Sequence, residues 1–160
     1  MVATPITATT RYYPPGTRRV YYCAAIASKS APTRSELDAG SDLTGEIASM
    51  TGFSTTSATV DVPDLGSRFT SQIPGAITAA SSALEFYMSE DSQDVRELLP
   101  RDATGFIVIF WEGDTSGKKM DVFPVRVTTG AKDVTTTDPG KISIEFAITS
   151  EPAENVNVPS

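Results

Sequence analysis

Residues 142–149 alternate strictly, with Ile142, Ile144, Phe146 and Ile148 apolar and Ser143, Glu145, Ala147 and Thr149 between them. Successive side chains of a strand point to opposite faces, so this period of two predicts a half-buried antiparallel strand. The same period runs through residues 76–89, where Leu84, Phe86 and Met88 alternate with Ala83, Glu85 and Tyr87. Residues 106–111, FIVIFW, are apolar without a break, which predicts a central strand covered on both faces. A further strand spans residues 118–129, with Phe123, Val125 and Val127 on one face; Pro124, which has no amide hydrogen, points to an edge or a bulge there. Val20, Tyr21, Tyr22, Cys23 and Ile26 predict a first strand within residues 18–28. Residues 46–62 are small, polar and β-branched and read as a strand with Gly52 as a bulge point.

Between these strands, Thr33-Arg34-Ser35-Glu36 has the spacing in which a threonine and a glutamate satisfy each other's donors at a helix start, and it predicts a short helical turn ending near Gly40. Residues 89–100, SEDSQDVRELLP, predict the one longer helix: acids at its start, an apolar stripe of Val95, Leu98 and Leu99, and Pro100 as its stop. Residues 63–75 form a loop too long for an ordinary hairpin connection. The Thr- and Pro-rich residues 1–17 read as an extended arm packed through its tyrosines, and residues 150–160 as an extended, polar tail. Arm and tail are expected to gain order on association. About six strands and one helix add up to a single domain over residues 1–160, mainly β, an antiparallel β-sandwich or open barrel with one short flanking α-helix.

Composition narrows the chemistry. The chain has no histidine, which removes the usual general base and every Ser-His-Asp or Cys-His arrangement. Cys23 is the single cysteine and lies in an apolar run, so it reads as a packing residue; no internal disulfide or cysteine-rich zinc site can form. The acidic run from Asp38 to Glu46 lacks the oxygen ligand and the glycine that an EF-hand loop needs at its third and sixth positions. Asp61 with Asp64, and Glu112 with Asp114, are carboxylates near strand ends, an ordinary place for them. Phosphate-cradling glycine motifs are absent, so neither a cofactor nor a metal is expected, and an enzyme is the least supported class. No apolar run approaches the length of about 20 residues that crosses a membrane, which predicts a protein made in the cytoplasm with no membrane partner.

Net charge is −7, yet residues 1–34 carry Arg11, Arg18, Arg19, Lys29 and Arg34 and no acid, so +5 there leaves −12 for the rest. Such polarity predicts either head-to-tail association or a basic arm folded back on its own acidic body. Long Ser/Thr-rich strands, a long loop and ends of opposite character suit a chain that associates with copies of itself.

The segments TPITATTRYYPPGTRRVYY, APTRSELDAGSDLTGEIASMTGFS, VDVPDLGSRFTSQIPGAIT, SALEFYMSEDSQDVRELLPR, MDVFPVRV and ITSEPAENV together resemble the major tail tube proteins of tailed phages that infect actinobacteria, over nearly the whole chain. The resemblance implies a siphovirus-like tail tube fold and a homo-oligomer of hexameric rings stacked as a hollow tube in the virion. Double-stranded DNA would pass through without specific binding. The tape measure, terminator and tail tip would be partners, with assembly in the host cytoplasm. On that reading, residues 46–62 and 76–88 form a channel-lining hairpin whose acids Glu46, Asp61 and Glu85 repel phosphates. The loop, with Asp64, Arg68 and Phe69, reaches the adjacent ring, and Arg11, Arg18 and Arg19 face it. The alternatives are a β-sandwich binding module of a tail tip, a tail terminator, and the tube of a contractile system.

Overall fold

The computed structural model describes residues 3–90 and 95–160. Among these, ten strands follow in order: β1 (Arg19–Cys23), β2 (Ser41–Asp42), β3 (Ile47–Thr51), β4 (Thr55–Val62), β5 (Ser71–Ala79), β6 (Ser82–Tyr87), β7 (Thr104–Phe110), β8 (Lys119–Asp133), β9 (Lys141–Ile148) and β10 (Ala153–Asn157). Helix α1 (Arg34–Asp38) lies between β1 and β2, and α2 (Val95–Leu98) between β6 and β7. The predicted helix over residues 89–100 is thus α2 at its C-terminal end, and its residues 91–94 lie outside the described residues.

Eight strands form one antiparallel sheet in the order β2-β1-β7-β8-β9-β6-β3, with β10 added alongside β8; β4 and β5 form a separate two-stranded sheet. β2 and β3 stand at opposite ends of that order, yet only residues 43–46 separate them in sequence. The sheet must therefore curl until its two ends approach. Inside the curl lies the main core, with Leu84, Phe86, Ile107, Ile109, Phe123, Ile142, Ile144 and Phe146. On the outer face of β7 and β8 a second cluster, with Cys23, Val108, Phe110, Met120 and Val122, is covered by Leu37 of α1 and by Val158. The uninterrupted apolar run of β7 follows from this: alternate residues feed two different cores.

Local chemistry explains the elements. The predicted capping box is present, with the Thr33 side chain accepting from the Glu36 amide and the Glu36 carboxylate accepting from the Thr33 amide at 2.7 Å. Cys23 is buried, and burial pushes its thiol up to about 11, as expected for a packing residue.

Three expectations are corrected. Pro124 belongs to a central strand, neither an edge nor a bulge, because β8 changes partner there: β10 pairs with it as far as Val122, and β9 begins at Val125. The Pro124 carbonyl accepts from the Thr149 amide, so its missing N–H faces the gap between the two partners and costs no ladder bond. The stretch 46–62 is two strands, because Gly52 (φ 77°) and Phe53 (φ 51°) turn the chain while Phe53 anchors against the rings of Phe123 and Phe146. The loop expected at 63–75 ends earlier, since β5 starts at Ser71; Pro74 and Gly75 are accommodated at a register shift opposite Ala58, in a sheet that has only edge strands. The tail contributes a strand, β10, and it buries Val158.

A Cβ on Gly52 would stand 2.2 Å from the Ser81 carbonyl oxygen, whereas Gly117 has a similar positive φ with open space around it. Gly52→Ala should lower stability by about 2–4 kcal/mol and Gly117→Ala by about 1 kcal/mol, as read from urea unfolding midpoints.

Candidate assembly surface

β3, β6, β9 and the C-terminal part of β8 form a four-strand face whose two sides differ in kind. One side buries Leu84, Phe86, Ile142, Ile144 and Phe146. The register sets the other side in rows: Ser49, Glu85, Ser143 and Ala131 in one, Thr51, Ala83, Glu145 and Thr129 in the next, then Tyr87, Lys141 and Asp133. Small residues dominate, and three carboxylates stand against one ammonium. Ser49 donates to Glu85 at 2.7 Å and Thr129 to Glu145 at 3.0 Å, which fixes both carboxylates along the sheet.

Both outer edges of this face are open. β3 pairs only with β6. Across from β9, the backbone of Val127 bonds to Asp102 and Ala103, and beyond it residues 128–133 are exposed with no strand beside them. Counting through the antiparallel pairs, the two open edges run in opposite directions. Beside β3 lies a mainly apolar cavity of about 410 Å³, lined among others by Pro14, Pro15, Val20, Ile47 and Met50.

The β4–β5 hairpin stands apart from the large sheet and is almost wholly exposed. Thr56 pairs with Thr78, and Asp61 accepts from Gln72 at 2.7 Å. On the face opposite that Asp61–Gln72 pair, Val60 lies across from Ile73 with Val62 beside it, all exposed. At the tip, Asp64 caps the Gly66 amide at 2.8 Å, Phe69 is 78% exposed, and Arg68 is exposed beside it. A two-stranded hairpin with six exposed large apolar side chains in strands and loop is marginal in water without a partner.

The basic N-terminal segment spends most of its charge on its own body. Arg34 binds Asp114 through two nitrogens, at 2.5 and 2.7 Å, and Asp38 at 2.6 Å, while the Tyr21 hydroxyl donates to Asp114 at 3.0 Å. Hydrogen bonds from Arg34 hold the Asp114 carboxyl below the usual carboxylate range, with burial opposing and Tyr21 assisting. Burial, and then the bond to Asp114, pushes Tyr21 up to about 12. Arg19 lies 3.9 Å from Asp42, Lys29 donates to the Glu151 carbonyl, and Arg18 stacks at 4.6 Å over Trp111. Arg11 is exposed.

Of the residues singled out in the sequence, the structure brings Asp61, Asp64, Arg68 and Phe69 together on the hairpin and sets Arg18 and Arg19 at the start of β1. Glu85 lies on the polar sheet face, and Glu46 immediately precedes β3, where its carbonyl accepts from the Tyr87 amide. The single hairpin expected from 46–62 and 76–88 is divided between two sheets: β3 pairs with β6 in the large sheet, while β4 pairs with β5, whose residues 71–74 lie before the expected partner segment. Glu145 shares the polar face of the sheet and was not singled out, although the alternation of β9 assigns it to the polar side. Asp133 could not be found that way, because it lies beyond residue 129, where the predicted strand ends and β8 continues. Among the described residues no group of carboxylates or thiols is arranged to hold a metal, and no helix is long and apolar enough to cross a membrane.

Residues 7–160 match the model of the phage tail tube protein family, and the chain belongs to that family. No curated protein matches the sequence. Among solved structures the fold is similar to a chain of the sheath/tube terminator of an extracellular contractile injection system, with a TM-score of 0.63, 13% identity, and 91% of this chain and 97% of that one covered. It is similar also to a chain of the anti-feeding prophage baseplate (TM-score 0.56, 13% identity, 94% and 95% covered). A third likeness is to a chain of the tail of an empty gene transfer agent particle, determined with C6 symmetry (TM-score 0.54, 11% identity, 85% and 93% covered). The protein is a structural component of phage or phage-like tails, not an enzyme.

A carboxylate with a lowered pKa stabilises the fold above its unfolded pKa, near 4, and loses that contribution as pH falls through the folded value. Asp114→Asn should therefore cost about 1–3 kcal/mol at pH 7. Denaturant titrations of the two proteins should converge as the pH drops well below 4.

Proposed function

We propose that six copies of this chain form a ring, that rings stack into the hollow tail tube, and that double-stranded DNA passes through it into the host. The observation that carries this reading is the four-strand face: apolar on one side, small and acidic on the other, with two open edges of opposite direction. Copies related by rotation about an axis set β3 of one beside residues 128–133 of the next in antiparallel register, and a closed ring leaves neither edge of that face unpaired. The parity of that pairing keeps the polar rows on one side, because a slip by one residue would turn Ser49 and Thr51 into the core.

Turned inward, Glu85 and Glu145 give a wall that repels phosphate and offers no base contacts, so the duplex slides. Glu46 beside β3 and Asp61 on the hairpin extend that wall. Ring-on-ring contact is heterologous and propagates without closing. The hairpin tip, with Asp64, Arg68 and Phe69, supplies one side of it, and Arg11, Arg18 and Arg19 belong to the other. The tape measure, the terminator and the tail tip are partners on this reading, and the tube assembles in the host cytoplasm. A terminator, the class of one structural relative, would stop at one ring; the exposed apolar hairpin favours a subunit that continues to stack.

Negative-stain electron microscopy across a concentration series should show hollow tubes of stacked rings. Single rings would favour a terminator, and a monomer at every concentration would count against self-assembly. Val60→Asp with Phe69→Ser should leave the unfolding midpoint within about 0.5 kcal/mol of wild type and abolish stacking. In phage carrying Glu85→Lys and Glu145→Lys, tails should still assemble and DNA ejection should slow; ejection at the wild-type rate would remove the acidic wall from the mechanism.

A further inference from the structure

Trp111, the chain's only tryptophan, stands immediately after β7 and is engaged from three sides. Its carbonyl accepts from the Tyr12 hydroxyl at 2.8 Å, and the Arg18 guanidinium lies 4.6 Å over its ring. The indole Nε1 donates to Asp121 Oδ2 at 2.5 Å. The second oxygen of Asp121 accepts from the Asn155 amide at 2.7 Å. Asn155 has φ 57° and sits where the register of β10 against β8 shifts, so its amide is the one held by a side chain in place of the ladder. The N-terminal segment thus meets Trp111 at its backbone carbonyl, through Tyr12, and at its ring, through Arg18, while the C-terminal strand, 143 positions from Tyr12 at Asn155, is bonded to the carboxylate that holds the indole N–H.

Each attachment is slight by itself. Residues 3–13 are exposed, and the Tyr12 hydroxyl is what fixes the arm's end to the body. β10 has β8 on one side only, and its middle is a left-handed residue held by Asp121. Arg18 Nε is buried without a hydrogen-bond partner, so Arg18 is held by its stacking on the indole more than by ion pairing. If the ring tilts, the Asp121 carboxylate follows its N–H donor, and the Asn155 amide loses its acceptor.

We propose that the Trp111–Asp121 pair is a conformational relay that couples docking of the N-terminal arm to order in the C-terminal strand. Release of the arm loosens β10 at Asn155, and loosening of β10 frees the arm. Coupling between two sites is reciprocal in free energy, so both directions follow from one mechanism. The relay acts in the free chain, whether or not copies assemble. Where a neighbouring subunit draws the arm away, the edge of β10 is released for a contact of its own.

Amide hydrogen exchange on the monomeric full-length chain tests this. Tyr12→Phe removes one exposed hydroxyl and leaves the fold intact; it should speed exchange at residues 153–157 about fivefold, the effect of one hydrogen bond of ordinary strength. Asp121→Asn should speed exchange in residues 11–18 to a similar degree. Trp111→Phe keeps a ring for Arg18 but lacks the N–H, and in that background Tyr12→Phe should no longer affect residues 153–157. Unchanged exchange at 153–157 in Tyr12→Phe, or an equal effect with and without the indole N–H, would overturn the relay. Exchange that rises uniformly over the whole chain would mean global destabilisation and would overturn it equally.

Discussion

The main sheet depends on one long strand changing its partner without losing hydrogen bonds. β8 spans Lys119–Asp133; its first part pairs with β7 and β10, and its last part with β9. Pro124 marks the exchange, at the position where a donor would have found neither partner. A register shift between Val127 and Thr129 follows at once and bends the strand further. Because β8 bends, the β7–β1 side and the β9–β6–β3 side face each other across a core instead of extending as a flat sheet. Phe123, Val125 and Val127, on the inner side of the bend, supply the middle of that core.

Much of this was legible in the chain, and what was not has physical causes. Strands that bury one face declared themselves through Leu84, Phe86, Ile142, Ile144 and Phe146, since burial is what enforces alternation. The capping box was readable because it is made entirely of neighbours in sequence. Pro124 misled because a local rule, no proline in a central strand, was overridden by a tertiary fact, the change of partner. The first half of β5 defeated pattern reading because the hairpin buries almost nothing: Pro74 and Gly75 look like loop residues and lie in a strand with no core to impose alternation. β10 was hidden for a similar reason, since its bond from Asn155 to Asp121 stands in for a regular ladder. The polar sheet face was half visible, through Glu85, while Glu145 was read only as the solvent side of a good strand.

What the isolated chain leaves unfinished is as informative as what it completes. Its main core is closed on all sides, with Leu84, Phe86, Ile107 and Ile109 fully buried. Open backbone runs along the two edges of the four-strand face, along β2 and β10, and along both strands of the hairpin, and the exposed large apolar side chains are gathered on the hairpin and the arm, with Tyr87 at the end of β6 and Val134 just after β8. A monomer selected for solubility would blunt these features. In the proposed assembly, folding and association would draw on separate sets of residues, so association could be lost while the fold persists.

The charge distribution bears on how such copies meet. Read along the chain, a +5 segment against −12 suggests a strong electrostatic pair between molecules. In the folded chain, Arg34 is held by Asp38 and Asp114, Arg19 stands near Asp42, Lys29 bonds a backbone carbonyl, and Arg18 lies on Trp111. Four of the five cations therefore have a partner within their own chain, although Arg19 is itself exposed, and Arg11 is exposed with none among the described residues. Surface ion pairs formed by such residues contribute little and are screened at physiological salt. In the proposed assembly, attraction between copies would then rest mainly on backbone pairing at the open edges and on the apolar hairpin. On the polar face of the sheet, Glu85, Glu145 and Asp133 have none of these N-terminal cations as a partner among the described residues.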